Sequence, residues 1–258
     1  MAIYWQNFIK YRYLLKELVF NEIKLKYRRS VLGIVWSILQ PLMMMIVLTL
    51  VFSSVFKSDI PHFAVYVLTG RIIWDLFSQS TIQSMNAIVD NASLIKKMYV
   101  PKYIFVLSKT ISSLANVLFS IVALFLVILL TGVKLTPAIL LLPLPILYTF
   151  LFATGLGLLL SAYNVFFRDL GYLYEVFLTA WMYFTALFYP VSIIPTELRF
   201  LLDFNPVYQM LKIFRDITMY GTVPGLEQHL ICLLIGSVSL VIGLYAFNKK
   251  QDKFILYI

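Results

Sequence analysis

Six long apolar stretches run through the chain, and they limit its possible folds more than any other feature. A helix needs about 20 consecutive, mostly apolar residues to cross the hydrocarbon core of a bilayer. Backbone groups in lipid must be satisfied within each segment, and the alternating pattern of a membrane barrel is absent. The stretches therefore predict an all-α integral membrane protein with six transmembrane helices. The spans are residues 31–56, 63–88, 106–131, 137–163, 170–189 and 229–247.

The composition excludes a water-soluble globule. Apolar and aromatic residues make up 61% of the chain and charged residues 13%, whereas a soluble domain carries about 25% charged residues. Most of the outer surface must therefore face lipid. The net charge of +9 does not indicate a nucleic-acid partner, because the basic residues flank the apolar segments instead of forming a stripe. Cys232 has no disulfide partner within the chain.

The distribution of Lys and Arg predicts that both termini are cytoplasmic. Fifteen of the 21 basic residues lie on the side of the termini, five lie on the other side, and Arg71 lies inside the second span. Cytoplasmic loops carry such an excess, and an even number of spans agrees with it. The mixed N-terminal stretch is not a cleavable signal. Without a repeat or a soluble domain, residues 1–258 are expected to form one transmembrane domain.

Residues 4–29 are too charged to cross the membrane. On a helical projection they show a narrow polar sector, a broad apolar face and basic edges. This pattern is typical of an amphipathic helix that lies in the membrane interface. The segment is either a basic anchor or an interfacial helix that also contacts a cytoplasmic partner.

The second cytoplasmic connection, residues 91–101, contains a short predicted helix. Asn91 or Ser93 can cap it, and Pro101 disfavours helical geometry at the preceding residue. Such a helix would present Leu94, Ile95 and Met98 to water, and exposed apolar residues on so small an element indicate a protein partner. The alternative is a loop whose lysines only fix the topology.

The outer connection between spans five and six, residues 190–228, is apolar instead of hydrophilic. Asn205 and Pro206 form a helix start, with Asn as the cap and Pro at the first helical position. Two short helices, at about 196–203 and 206–219, would dip into the outer leaflet as re-entrant segments. They either pack as ordinary outer structure or form a gate.

Arg71 and Asp75 lie four residues apart inside span two. They therefore share a helix face and can form an ion pair. Charges within the membrane usually face the bundle interior. The pair is either structural and self-neutralising or part of a polar pathway.

Aromatic residues are abundant, and most are typical of interface belts or helix packing. The run from Trp181 to Tyr189 is denser than a belt requires. Flat rings stack on the C–H faces of sugars, so this run is alternatively the lining of a polysaccharide path.

Several catalytic features are absent from the sequence. There is no G-x-x-x-x-G-K-[ST] phosphate loop, and no His or Cys pair has metal-ligand spacing. A membrane-embedded enzyme would therefore have few residues to work with, and the chain is expected to hold no cofactor or metal of its own. Energy for uphill transport would come from a partner subunit or an ion gradient.

The arrangement resembles the permease subunit of type-two ABC exporters for O-antigen, teichoic acid and capsule-like polysaccharides. The resemblance covers residues 10–250, and its motifs occur in order on the six spans. They are Lys26-Tyr27-Arg28-Arg29-Ser30 through Trp36 to Gln40-Pro41, Gly70 with Trp74, Asn91 to Pro101, Asn164 to Asp169, and Phe188-Tyr189-Pro190 through Asn205-Pro206. The charges Arg71 and Asp75 depart from the apolar neighbours expected for this family.

The resemblance implies roles for several groups of residues. The interfacial helix and a coupling helix would seat on the nucleotide-binding subunit; the coupling residues are Asn91, Leu94, Ile95, Lys96, Lys97, Met98 and Pro101. Spans one and five would wall a channel at a homodimer interface, lined by Trp36, Trp181, Tyr183, Phe184, Phe188 and Tyr189. Residues 190–220 would form the outer gate, with Pro190, Asn205 and Pro206 as its key positions. Candidate diphosphate contacts at the cytoplasmic mouth are Arg28, Arg29 and Arg168, which positive-inside topology explains equally well.

The resemblance also implies the partners. A homodimer of this chain would pair with two ATP-hydrolysing subunits that bind ATP and Mg²⁺, and it would export a polyprenyl-diphosphate-linked glycan across a bacterial cytoplasmic membrane. Closure of the ATPases would move residues 91–101 and spread spans one and five. A drug or lipid exporter is the alternative of the same class. A membrane transferase lacks a catalytic constellation here, and a passive channel gives no reason for an exposed coupling segment.

Overall fold

The computed structural model describes residues 2–28, 30–56 and 60–258, with the backbone alone at residues 2–8 and 53–56. These ranges contain helices, turns and connecting segments but no strand. The predicted all-α fold is confirmed.

The α-helices of the described ranges are named in chain order. They are α1 (Ala2–Tyr27), α2 (Trp36–Phe56), α3 (Phe63–Asp90), α4 (Ala92–Lys97), α5 (Tyr103–Thr131), α6 (Pro143–Asn164), α7 (Leu170–Phe184), α8 (Phe200–Asp203), α9 (Pro206–Arg215) and α10 (Leu226–Lys250). Short 3₁₀ segments occur at Gly33–Val35, Pro137–Leu141, Val191–Ile193, Thr196–Leu198 and Gln251–Leu256, and a π-helical turn covers Asp216–Tyr220.

Four segments of the described chain are long and apolar enough to cross a membrane. They are Gly33–Phe52, Tyr103–Thr131, Pro137–Asn164 and Leu226–Leu256. These segments correspond to the predicted spans one, three, four and six. The predicted second span is α3, which is 28 residues long but more polar, and the predicted fifth span is α7, which has 15 residues.

The core is built around α3, which packs against α5 and α6 along its length. The larger apolar cluster surrounds Phe77, which is fully buried. A smaller cluster lies where α3 meets α4, and there Ile88 and Ile95 pack with Phe254 from the C-terminal segment. The second cluster therefore joins α1, α3, α4, α5 and the end of α10 into one unit.

The helices α6 and α10 approach each other closely because glycines face across the contact. A Cβ at Gly243 would lie 2.1 Å from the carbonyl oxygen of Gly155, and a Cβ at Gly155 would lie 2.3 Å from the carbonyl carbon of Ser239. Small residues of this kind let backbones meet where lipid removes the hydrophobic drive for helix association. Cys232 on α10 is a free, buried cysteine.

The region after α7 differs in detail from the predicted pattern. The helix ends at Phe184 instead of continuing to residue 189, and Ala186 has a left-handed φ of 49°. The predicted helix at 196–203 is a 3₁₀ turn followed by the short α8, whereas α9 begins at Pro206 as predicted. The chain therefore turns several times between α7 and α9 without a long helix.

Candidate functional site

The predicted coupling segment forms a short helix with one buried face and one exposed face. Helix α4 covers Ala92–Lys97, and Lys96, Lys97 and Met98 are exposed. Tyr99, which the sequence analysis did not single out, is 100% exposed. The exposed side of this segment is thus a small patch of two lysines, a methionine and a tyrosine.

The prediction that Ile95 faces water is wrong. The residue is only 6% exposed, because α4 turns this side chain toward the small core cluster at the end of α3. Leu94 is partly buried against the same cluster. These apolar side chains hold α4 to the transmembrane core and do not project toward a partner.

Asn91 has a different role from the predicted cap of α4. Its side chain makes no cap bond to α4; instead, its Nδ2 donates to the carbonyl of Ala87 at 2.8 Å. Asn91 thereby closes the C-terminal end of α3, where orphan carbonyls need partners. Pro101 follows the segment and is half-buried before α5 begins.

The coupling segment is tied to both ends of the chain. The hydroxyl of Tyr11 on α1 donates to the carbonyl of Tyr99 at 3.3 Å. Lys102 donates to the carbonyl of Gln251 at 2.5 Å and lies 5.6 Å from the ring centre of Phe254. Burial lowers the pKa of Lys102, and the nearby Asp252 carboxylate offsets part of this effect. A motion of α4 would therefore reach α1 and the C-terminal segment directly.

A buried lysine anchors α1 along α5. The Nζ of Lys109 lies 2.6 Å from the carboxylate of Glu22 and 3.9 Å from that of Asp90. Lys109 is itself buried, and Leu15 of α1 packs into the small core cluster. The predicted amphipathic helix thus packs against α5 through both apolar and ionic contacts.

Arg71 and Asp75 form an ion pair at one wall of a polar cleft. Their Nη2 and Oδ1 atoms are 3.0 Å apart, and both side chains are partly exposed. The cleft, with a cavity volume of about 50 Å³, lies between α1, α2, α3 and α5. Its polar lining includes Lys26, Ser37, Gln40, Gln79, Ser113 and Asn116. The pair thus faces polar side chains as well as its own helix.

The aromatic candidates divide into packed and exposed residues. Trp181 packs edge-on against Phe77 at 4.9 Å between ring centres and donates its Nε1 to Asn205 Oδ1 at 3.0 Å. Phe188 is buried and stacks on Phe52 at 5.7 Å. Trp181 and Phe188 therefore serve the packing of this protomer.

The other aromatic candidates are more accessible. Trp36, Tyr183 and Phe184 are exposed, and Tyr189 is half-buried. The hydroxyl of Tyr189 donates to the carbonyl of Tyr183. The exposed rings of Trp36, Tyr183 and Phe184 are therefore available for contacts outside the chain.

The basic residues predicted to contact a diphosphate lie on different surfaces. Arg28 is exposed beside Leu25, Lys26 and Ser30. Arg168 is exposed at a groove of about 610 Å³ between the end of α6 and the start of α7. The third candidate, Arg29, lies outside the described residues.

Asn205 organises the start of the predicted outer gate. Its Oδ1 accepts from the backbone amides of Val207 and Tyr208 at 3.1 and 3.3 Å, which is the predicted N-cap. Its Nδ2 donates to Thr185 Oγ1 at 3.1 Å and to the carbonyl of Phe184 at 3.3 Å. This one side chain therefore joins the first turn of α9 to the last turn of α7. Pro190 and Pro206 bracket the irregular segment between them.

Clusters of side chains suited to metal binding are absent from the described ranges. Groups of three or more His, Cys, Asp or Glu residues able to hold a metal ion do not occur among the residues that the structure describes. The polar groups that meet are instead ion pairs and backbone caps, which bind and position elements of the chain.

The membrane-length helices and their apolar outer surfaces define a multi-pass inner-membrane protein. The chain belongs to the ABC-2 type transporter family, whose family model matches residues 13–219. It is 30% identical to an O-antigen export system permease protein of Myxococcus xanthus, over 95% of each chain. It is 28% identical to a protein of the same description from Klebsiella pneumoniae, over 91% of this chain and 90% of the relative. A polysialic acid transport protein of Escherichia coli is 22% identical, over 91% of this chain and 92% of the relative.

Lys109, Tyr99 and Arg215 are structurally prominent, yet the sequence analysis gave them no such role. Lys109 and Arg215 entered it only as contributors to loop charge, and Tyr99 only as a residue of the coupling segment. No spacing marks a lysine that will be buried by a distant helix such as α1. Arg215 lies between Phe214 and Asp216, near Lys212, so no local pattern distinguished it from an ordinary loop charge.

Proposed function

We propose that this chain is the permease of an ATP-driven exporter that moves a polyprenyl-diphosphate-linked polysaccharide across the cytoplasmic membrane. The observation that carries the proposal is the near full-length similarity to export permeases, over 95% of both chains in the Myxococcus xanthus relative. Similarity of this extent includes the coupling, channel and outer regions together. The relatives export O-antigen or transport polysialic acid, and this supports a polysaccharide as the substrate.

The proposed topology has six spans with both termini in the cytoplasm. Helix α3 contains 28 residues, which at 1.5 Å per residue is about 42 Å and exceeds the hydrocarbon thickness. Helix α7 contains 15 residues and is about 22 Å long, so its crossing is completed by the turns at residues 185–190. Residues 191–220 would then be re-entrant at the outer side.

ATP hydrolysis is proposed to act on the chain through the exposed patch of the coupling segment. Two copies of a separate ATPase subunit, which would hold ATP and Mg²⁺, would seat on Lys96, Lys97, Met98 and Tyr99. The hydrogen bond from Tyr11 to Tyr99 and the packing of Ile95 support a rigid connection from this patch to α1 and α3. The chain itself would hold no cofactor.

The channel is proposed to form between two copies of the chain, along α2 and α7. Few residues of the membrane-length segment Gly33–Phe52, which contains most of α2, are buried within the chain, and α7 leaves Tyr183 and Phe184 exposed. The exposed rings Trp36, Tyr183 and Phe184 are the residues proposed to contact sugar. Arg28, Arg29 and Arg168 are proposed to attract the diphosphate at the cytoplasmic side.

Reconstitution tests the proposed function. The chain and a separately purified ABC ATPase subunit are placed together in proteoliposomes that contain lipid-linked glycan in the outer leaflet. ATP added to the bath reaches only the ATPase subunits that face outward. We expect ATP-dependent movement of the glycan to the lumen, and no ATP hydrolysis by the purified chain alone. ATP hydrolysis by the chain alone would contradict the proposal. Equal glycan movement in proteoliposomes that lack the chain would also contradict it.

Two aromatic substitutions separate lining from packing. Tyr183→Ala is expected to slow glycan export several-fold at an unchanged amount of folded protein, because the ring is exposed. Trp181→Ala should instead lower folded protein, since removing a packed Trp costs about 3–5 kcal/mol. Export per folded molecule and size-exclusion profiles give the two readouts. Equal loss of folded protein in both variants would assign Tyr183 to packing.

A further inference from the structure

Arg215, the last residue of α9, carries a buried charge at the outer side of the protein. The residue is 5% exposed. Its Nη2 donates to the carbonyls of Leu187 at 2.8 Å and Tyr66 at 3.3 Å, and its Nη1 donates to the carbonyl of Ala186 at 3.3 Å. The guanidinium carbon lies 3.5 Å from the ring centre of Tyr66. Within the described part of the chain Arg215 forms no ion pair with a carboxylate.

These contacts, which we name the Arg215 clasp, join α9 to α3 and to the irregular end of α7. The hydroxyl of Tyr66 strengthens the same junction by donating to the carbonyls of Tyr189 at 2.9 Å and Ala186 at 3.3 Å. Gly70 leaves room for the guanidinium, because a Cβ there would lie 3.0 Å from Arg215 Nη2 and from the carbonyl oxygen of Leu187. The clasp therefore depends on α3, α7 and α9 at once.

Separation of these three elements would be unfavourable. A guanidinium in an apolar interior needs its acceptors, and a charge left buried without them is strongly destabilising. Asn205, the N-cap of α9, adds a second junction between the end of α7 and α9 at the opposite end of the helix from Arg215. Helix α9 is thus fixed at both of its ends.

Residues 191–204 contrast with this fixed region. Ile193, Leu198, Phe200, Leu201 and Phe204 are all exposed, and Leu202 is the buried exception, on the turn that meets α9. The segment consists of short 3₁₀ turns and the four-residue α8. A stretch with few buried apolar contacts opens at lower free energy than a packed core helix.

We propose that Arg215 is a positioning residue for export, which fixes α9 to α3 and the end of α7 so that residues 191–204 carry the outer opening. The outer region predicted as one gate is then two parts, a fixed α9 and a movable segment before it. The link to export rests on the proposed function, whereas the clasp is a property of the chain alone.

Hydrogen exchange of the purified chain in nanodiscs tests the clasp. In the wild-type chain we expect slow exchange in peptides from residues 185–190 and 206–219. Arg215→Met should raise exchange in both peptides by about tenfold or more, because local opening no longer breaks the clasp. Arg215→Lys keeps the charge but has fewer donors, so its exchange rates should lie between those of the wild-type chain and those of Arg215→Met. Arg199→Met is the matched control, since Arg199 is exposed and its Nε donates only to the nearby Ile194 carbonyl.

Each outcome of this exchange experiment supports or overturns the clasp. Wild-type exchange in both Arg215 variants would overturn it, as would an equal effect of Arg199→Met on residues 206–219. If Arg215→Met does not accumulate, the comparison of Arg215→Lys with Arg199→Lys gives the same decision. A rise confined to the Arg215 variants supports the clasp.

The second arm adds the ATPase subunit with a non-hydrolysable ATP analogue. We expect faster exchange in residues 191–204 and no change in residues 206–219. Equal loss of protection in both peptides would overturn the assignment of movement to residues 191–204. No nucleotide effect on either peptide, with the variant pattern intact, would count against the proposed ATP coupling and leave the clasp standing.

Discussion

Gly243→Val is expected to abolish the accumulation of folded protein. A Cβ at this position would lie 2.1 Å from the carbonyl oxygen of Gly155, and the obstructing atom is backbone, which no rotamer change can move. Overpacking a core costs about 1–3 kcal/mol even where side chains can adjust, so the expected loss here is at the top of that range or above it. Thermal unfolding followed by fluorescence-detected size exclusion measures this loss.

The expected loss depends on the backbone contact and not on replacing a glycine as such. Gly171→Ala is therefore the control. A Cβ at Gly171 meets only the terminal methyl of Met85, at 3.7 Å, so this variant should keep the wild-type elution profile. Gly155→Val should behave like Gly243→Val, because its Cβ would meet the backbone of Ser239. Normal yield and stability of Gly243→Val would show that α6 and α10 are not held by this backbone contact.

The double variant Met98→Asp, Tyr99→Asp is expected to eliminate ATP-driven export while membrane insertion continues. Both side chains are exposed in this chain, so their replacement removes no internal packing. Loss of a central apolar anchor from a protein interface costs about 2–4 kcal/mol, which weakens the affinity for the partner by roughly 30-fold to several hundred-fold. Co-purification of the ATPase subunit and export in proteoliposomes are the measurements.

Ile95→Asp is the informative comparison, because Ile95 lies in the same coupling segment but is buried, whereas Met98 and Tyr99 follow the helix and are exposed. It should reduce folded protein, since a carboxylate placed in an apolar cluster has no partner there. Charge reversal at Lys96 and Lys97 should weaken partner binding without that loss. If the Met98, Tyr99 variant exports glycan at the wild-type rate, the coupling role of α4 is wrong.

The sequence predicted the helices well, because their causes are local. Apolar length predicts the membrane segments, and the Asn205-Pro206 pair predicts where α9 begins, since both cap and φ restriction act within a few residues. The positions of Lys96, Lys97 and Met98 on an exposed segment follow from the same local pattern. Each of these features is encoded within one stretch of chain.

The inner and outer faces of apolar helices were not predictable in the same way. In a water-soluble helix the polar face marks the outside, but lipid-facing and core-facing positions are both apolar here. Trp181 and Tyr183 lie two residues apart in the same run, yet one packs against Phe77 and the other is exposed. Ile95 was wrongly predicted to face water for a related reason, because its cover comes from distant parts of the chain.

The Arg215 clasp shows the same limit for polar groups. Its acceptors are backbone carbonyls of residues 66, 186 and 187, and carbonyls are present at every position of any sequence. A salt bridge can be sought by pairing charges, whereas a bond to a carbonyl has no residue type to search for. The early end of α7 exposes the carbonyls of residues 186 and 187, and only the folded arrangement brings the arginine to them and to the carbonyl of residue 66 on α3.

Cys232 is 1% exposed within α10, and it is the single cysteine of the chain. A water-borne thiol reagent cannot reach a sulfur enclosed in this way unless the helix packing opens. The native chain is therefore a nearly silent background for site-directed labelling, so a maleimide dye on an introduced surface cysteine would report one chosen position without prior removal of the natural thiol.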